Sequence, residues 1–317
     1  MSLPAIVLTA GLGTRLDPLT RLVAKPAVPL GRRSLIERVL EWTRQQGVTD
    51  VVLNLHHRPA TVTAIVGDGA HLGLRVRYSW EQPVLGSAGG PRRALSLIDG
   101  DPVLIVNGDT LSDFALKPMI DAHAASGADV TLAVVPNPSP AHYNGITIDA
   151  SDRVTGFVPR GRAAGSWHFI GVQIARRRVF DGLVDGEPAE SIAGIYRDIV
   201  AAGDGCVRAW RATTSFIDVG TPRDYLRAAL AFADREPRAA GDDTRGRGNG
   251  PRLTRTVVWP EAKLAPDVEL DGCIVAGAVR LESGFRSRDA VIVPAAIVAE
   301  GDTASVQDGI ALFPLAP

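Results

Sequence analysis

The chain alternates short apolar runs with longer amphipathic ones. Residues 5–10 (AIVLTA), 50–55 (DVVLNL), 74–80 (LRVRYSW), 102–109 (PVLIVNGD) and 128–136 (ADVTLAVVP) have strand length. Residues 34–47 read as a helix, with Ser34 as N-cap, Glu37 three positions on and Gly47 as its stop. Residues 116–127 and 221–236 predict two more helices, and 91–98 a further one with Pro91 in its first turn. The strands are continuous apolar runs, as in a parallel sheet covered on both faces. Their alternation with helices predicts an α/β protein with a doubly wound, mostly parallel sheet.

That pattern stops near residue 236. The stretch PRAAGDDTRGRGNGPR is rich in Gly, Arg and Asp, lacks an apolar anchor, and reads as a flexible linker over 237–255. Beyond it, Val258, Leu264 and Leu270 recur every six residues, as do Val268 and Ile274. A six-residue period predicts a short β-helix tail over 256–317, of about three turns, with a hairpin meander as the alternative. Residues 1–236 are then the α/β domain.

Composition narrows the partners. The 317 residues are 45% apolar and 22% charged, enough for a sizeable core. The 34 basic and 35 acidic side chains nearly balance, which argues against a nucleic-acid polymer as ligand. Cys206 and Cys273 fit neither a disulfide framework nor metal-ligand spacing. The N-terminus lacks a basic leader, and no apolar run approaches the ~18 residues of a membrane span. A cytoplasmic protein without membrane attachment is expected.

The candidate chemistry begins after the first strand, in AIVLTAGLGTRLDPLTRLVAKPAVPL. A glycine-rich loop between strand and helix exposes N–H groups that suit phosphate oxygens. A Walker loop would need Gly-Lys-Ser/Thr, which is missing. A dinucleotide loop would need a third glycine where Leu16 stands, and an acid where Asn54, Leu55 and His56 stand. Asp109 ends a strand at the carboxyl edge, where open α/β sheets bind ligands.

These residues resemble the signature of the nucleotide-sugar pyrophosphorylases, the sugar-1-phosphate nucleotidylyltransferases. EQPVLGSAGG (81–90), VNGDT (106–110), NGITID (144–149) and FIDVGTP (216–222) follow in that family's order. The resemblance implies a Rossmann-like nucleotidyltransferase fold, and the tail resembles the left-handed β-helix of some members. It implies attack of a sugar-1-phosphate oxygen on the α-phosphorus of an NTP, with pyrophosphate leaving. The nucleotide would be held by Ala10, Gly11, Gly13, Thr14, Arg15, Glu81, Gly86 and Asn107. Arg15 would bind the leaving phosphates, Lys25 would reach the α-phosphate, and Asp109 and Asp218 would hold Mg2+. The attacking group is already an anion, so positive charge and in-line positioning matter more than a base.

By the same resemblance, the residue five before Gly86 faces the base. That residue is Glu81, and a carboxylate suits the N1–H and N2–H2 donors of guanine, which favours GTP. If the register slips to Gln82, UTP or dTTP suits better. On the sugar side the resemblance points to Asn144, Gly145 and Arg160, but the family's glutamate is missing from GFVPRG (156–161). Mannose-1-phosphate or a heptose-1-phosphate is the leading acceptor. Trp167 and Phe169 could line that pocket or belong to the core. The rival of another class is a non-catalytic nucleotide-sugar sensor. The edges of a short β-helix also suggest a homo-oligomer.

Overall fold

The structure, a computed structural model, describes residues 3–203, 205–235 and 250–315. The chain forms two compact units. One comprises Met1–Gly11 and Ile36–Ile217, the other Leu12–Leu35 and Asp218–Pro317. The segment after the first strand is thus grouped with the C-terminal third.

The first unit is built on a nine-stranded sheet. Its strands are β1 (Ala5–Leu8), β2 (Asp50–Leu55), β3 (Arg75–Trp80), β4 (Val103–Asn107), β5 (Val130–Pro136), β6 (Gly145–Ile148), β7 (Val154–Val158), β8 (Trp167–Ala175) and β9 (Val207–Arg211). The order is β7-β6-β8-β4-β1-β2-β3, and β5 joins β8 to β9. The run β4-β1-β2-β3 is parallel, as its unbroken apolar strands predict. Strand β8 enters antiparallel to β4 and β5, so the far side of the sheet is mixed. Ile6, Val52, Ile105, Leu132 and Val134 are buried with Phe180 and Tyr196 in one core.

Helices α1 (Leu35–Gln45), α2 (Pro59–Val66), α3 (Gly86–Ala94), α4 (Lys117–Ser126) and α5 (Tyr196–Ala202) connect the strands. Helix α3 corrects one expectation. Pro91 does not open it but lies inside it, and only a 3-10 turn, Leu95–Leu97, continues it. The helix starts five residues earlier because Ala189 supplies its cap. The Ala88 and Gly89 N–H groups both donate to the Ala189 carbonyl, at 2.9 and 3.2 Å.

The second unit holds α6 (Pro222–Arg235) and the tail. Thr221 caps α6 reciprocally with Asp224: the Thr221 hydroxyl and N–H donate to Asp224 Oδ2, and the Asp224 N–H donates to Thr221 Oγ1. The tail is a parallel β-helix with three faces. One face stacks Arg252–Thr254, Glu269–Asp271 and Arg286–Arg288. A second stacks Val257–Val258, Ile274–Val275 and Ala290–Pro294, and a third Lys263–Leu264 and Arg280–Leu281. One coil takes 17 residues, from Arg252 to its neighbour Glu269. Leu270, Val275, Leu281 and Ile292 fill its interior. Most of the stretch read as linker lies outside the described residues, but its end, Arg252–Thr254, is the first strand of the coil. Ile310–Pro314 runs antiparallel along Ala290–Pro294, which closes that edge to another parallel coil.

Tyr225 of α6 ties this unit together. The Trp259 indole N–H donates to the Tyr225 hydroxyl at 2.8 Å, and that hydroxyl donates to the Pro29 carbonyl at 2.7 Å. Tyr225 is fully buried and Trp259 nearly so. Tyr225→Phe removes both bonds and leaves a buried donor and a buried acceptor without partners. The expected loss is about 1–3 kcal/mol, read as a lower midpoint in denaturant unfolding.

Candidate nucleotide-binding site

Strand β1 ends at Leu8, and the chain turns through Thr9. The Thr9 N–H donates to Asn54 Oδ1 at 2.6 Å, and its hydroxyl donates to the Asn54 carbonyl. Asn54 Nδ2 donates to Glu81 Oε1 at 2.7 Å, and the Leu85 N–H donates to Glu81 Oε2 at 2.8 Å. The Glu81 N–H donates to the Leu55 carbonyl at 2.8 Å, and His56 Nδ1 lies 2.9 Å from the Glu81 carbonyl. Glu81 is only 5% exposed. Both carboxylate oxygens of Glu81, the residue expected to face the base, accept from the protein. Glu81 braces the ends of β1 and β2 against the start of α3.

The glycines of LGSAGG each meet a different neighbour. Gly86 has φ +75°, and a Cβ there would lie 2.7 Å from both the Ala189 carbonyl and Glu190 Oε1. A Cβ on Gly89 would lie 2.5 Å from the Glu187 carbonyl. A Cβ on Gly90 would lie 2.6 Å from Glu81 Oε1 and 2.7 Å from Asn54 Nδ2. Helix α3 can therefore sit against both the brace and residues 187–190. Glu190 is exposed, and its Oε2 accepts from the Ser87 hydroxyl at 2.6 Å. Sequence reasoning missed Glu190 because 103 residues separate it from Ser87.

The carboxyl edge of β4 is built by similar close approaches. The Gly108 N–H donates to the Leu8 carbonyl at 2.9 Å, and a Cβ on Gly108 would lie 2.6 Å from that oxygen. The Asn107 side chain fits against Gly171 of β8, where a Cβ would lie 2.9 Å from its own Cβ. Asp109 follows, and Thr110 Oγ1 donates to its Oδ1 at 3.2 Å.

Of the remaining loop residues, Ala10 and Gly11 end the first stretch of the first unit, and those from Leu12 on belong to the second. Ala10 is buried, whereas Gly11, Thr14 and Arg15 are exposed. Gly13 has φ +66°, and a Cβ there would lie 2.8 Å from Thr20 Cγ2 and 3.1 Å from Lys25 Cβ. Lys25 is 8% exposed, so it is not a solvated surface lysine. Arg15, Asp218 and Asp224 gather around Gly220. A Cβ on Gly220 would lie 3.5 Å from Arg15 Nη1 and 3.3 Å from Oδ2 of each aspartate. Asp109 belongs to the first unit and Asp218 to the second.

On the expected sugar side, Asn144 Oδ1 accepts from the Arg160 N–H at 2.9 Å. A Cβ on Gly145 would collide with Ser166 Oγ at 2.1 Å and lie 2.9 Å from the Ala163 Cβ. Gly145 thus gives room to its own chain. Trp167 and Phe169 pack against the core, and Trp167 lies under the Arg211 guanidinium at 4.9 Å. Beside Asn144 sits a ring cluster missed in the sequence. His168 lies 4.3 Å from Tyr143 and 5.1 Å from Phe216, between centroids. Burial pushes the His168 pKa below its usual value, so the ring is neutral at pH 7.

The model of the nucleotidyl transferase family matches residues 4–235. The chain belongs to the nucleotidyl transferase family. It is 29% identical over 296 residues to the mannose-1-phosphate guanylyltransferase of Mycobacterium tuberculosis, covering 88% of this chain and 81% of that one. It is 28% identical over 229 residues to the D-glycero-alpha-D-manno-heptose 1-phosphate guanylyltransferase of Aneurinibacillus thermoaerophilus, covering 71% and 96%. Among solved structures, HddC from Yersinia pseudotuberculosis complexed with GMP-PN aligns with TM-score 0.63 at 23% identity, over 73% of this chain and 99% of that one. A putative glucose-1-phosphate thymidylyltransferase from Bacillus anthracis aligns with TM-score 0.65 at 18% identity, over 75% and 98%. The structural likenesses establish the shared fold. Among the described residues no helix is long and apolar enough to cross a membrane.

The brace makes a prediction for Glu81→Gln. The amide keeps one acceptor and turns an NH2 towards either Asn54 Nδ2 or the Leu85 N–H. We expect a loss of about 1–3 kcal/mol in unfolding free energy with the order of preference among nucleotides unchanged. A switch of preferred nucleotide without loss of stability would restore Glu81 as the base reader.

Proposed function

We propose that the protein transfers a guanylyl group from GTP to a manno-configured sugar-1-phosphate, either mannose-1-phosphate or a heptose-1-phosphate, and releases pyrophosphate. The observation that carries this reading is the match to a mannose-1-phosphate guanylyltransferase over 88% of the chain. An oxygen of the sugar phosphate attacks the α-phosphorus of GTP, and the bond to the bridging oxygen of the β-phosphate breaks. The amides of Gly11, Gly13 and Thr14, with Arg15, hold the phosphates that leave. Lys25, buried within its loop, offsets charge at the α-phosphoryl. Asn107 and Ala10 complete the nucleotide's seat.

Asp109 and Asp218 offer oxygen donors only, the set that magnesium takes together with phosphate oxygens and water. When bound, the ion would polarise the phosphoryl group. With Glu81 committed, the acceptor offered to guanine N1–H and N2–H2 is Glu190 Oε1, held beside Gly86 by the bond from Ser87 to the other oxygen. Asn144, Gly145 and Arg160 shape the sugar side through the loop that packs on them.

The test is pyrophosphate release by the full chain with Mg2+, each of the five NTPs and both sugar phosphates. We expect release with GTP, loss with chelator, and a fall in kcat of about 10²–10³ for Lys25→Ala. Release with UTP or dTTP instead would reject guanine. Silence across a wider panel of sugar-1-phosphates would favour a non-catalytic sensor.

A further inference from the structure

The second unit joins the signature segment, Leu12–Leu35, to a tail nearly 300 residues away. The joint is centred on Arg21, which ends the short 3-10 turn Leu19–Arg21. Its Nε donates to Asp17 Oδ2 at 2.8 Å, and its Nη2 reaches the same carboxylate. Its Nη2 also donates to Asp302 Oδ1 at 2.9 Å, and its Nη1 to Asp302 Oδ2 and to the Ile297 carbonyl. The Phe313 ring lies 5.7 Å from the guanidinium carbon. Asp302 is itself fixed, since the Ala299 N–H donates to its Oδ2 at 2.7 Å. Beside this joint, Leu22 packs against Gly277 and would block a Cβ there at 3.2 Å.

The other end of the network is the loop turn. Thr20 Oγ1 lies 3.3 Å from both Asp17 Oδ1 and the Gly13 carbonyl, and the Leu16 N–H donates to that same carbonyl at 2.9 Å. Asp17 therefore stands between Arg21 and the turn that carries Gly13, Thr14 and Arg15. A guanidinium bridging two carboxylates in fixed geometry can hold such a turn, which a single lysine amine cannot.

We infer that the tail is a positioning element for the phosphate-binding turn: Asp302 orients Arg21, and Arg21 holds Asp17 and the turn built on it. The inference rests on the reading of that turn as the seat of the nucleotide phosphates. Arg21 and Asp302 do not touch substrate in this arrangement. They raise the fraction of molecules whose turn is ready to bind, and apparent affinity scales with that fraction.

The experiment compares the full-length wild type with Asp302→Asn, Asp302→Glu and Arg286→Ala. Arg286 pairs with Glu269 on the coil, at 3.4 Å, and serves as an equal loss of one tail ion pair remote from the turn. GTP affinity is read by titration calorimetry without sugar phosphate, and KM and kcat by pyrophosphate release. We expect Asp302→Asn to weaken GTP binding and raise its KM about fivefold, with KM for the sugar phosphate unchanged. Asp302→Glu recovers part of the loss, and Arg286→Ala binds as wild type does. The wild-type advantage over Asp302→Asn should also shrink as salt is raised. Equal GTP affinity in wild type and a folded Asp302→Asn would overturn the inference alone, and so would equal losses in Asp302→Asn and Arg286→Ala. If Asp302→Asn does not fold, Asp302→Glu takes its place in the comparison with wild type and in the salt series. Wild type that binds no nucleoside triphosphate would overturn the reading of the turn, and the inference with it.

Discussion

A buried carboxylate organises the exits of β1 and β2 and the entry to α3. Glu81 sits where β3 gives way to α3, almost without solvent. A carboxylate in such a place is tolerable only when donors satisfy it. Asn54 and the Leu85 N–H do so, and each fixes something further. Asn54 also receives Thr9, so the exit of β1 is set by the residue that satisfies Glu81. Leu85 precedes Gly86, so the entry to α3 is set by its other oxygen. Two of the three glycines of the helix answer to such contacts. Gly90 must leave room for the brace, and Gly89 for the chain at Glu187.

The glycine-rich loop depends on a different kind of contact. There the loop exposes Gly11, Thr14 and Arg15, while Leu16, Leu19 and Leu30 of the same segment are fully buried. It is held from behind by charge and by buried hydrogen bonds. Asp302 carries the mark of this, since the Arg21 guanidinium pulls its pKa down to about 2. A depressed carboxyl keeps its contribution at neutral pH and loses it only as pH falls from about 4 through 2. The Asp302 carboxylate is therefore charged, and its bonds to Arg21 are kept, at neutral pH. The Tyr225 link from Trp259 to Pro29 adds a contact that does not titrate in that range, because burial raises the phenol above its usual value. Two contacts of different chemistry thus anchor the same segment, one at Arg21 and one near its end at Pro29.

Much of this could be read from the chain, and the exceptions share a cause. The parallel strands, α1, α4 and α6 follow from local periodicity, and the structure places them within a few residues of where the pattern predicts. The six-residue spacing marked a β-helix, although its coil of 17 residues is one short of three full hexads. What escapes the sequence is a residue's partner, even where its own identity is plain. Glutamate at position 81 reads as an acceptor, but sequence cannot say that Asn54 and Leu85 already supply its donors. Pro91 reads as a helix opener until Ala189 is seen capping the helix five residues earlier. Arg21 lies between two family motifs and its partner Asp302 is 281 residues away, so neither attracts notice alone. Periodicity records what a residue needs from its own element. Whether a polar group is spent within the protein or left exposed is decided by contacts across the chain, and those are what separate a buried brace such as Glu81 from an exposed carboxylate such as Glu190.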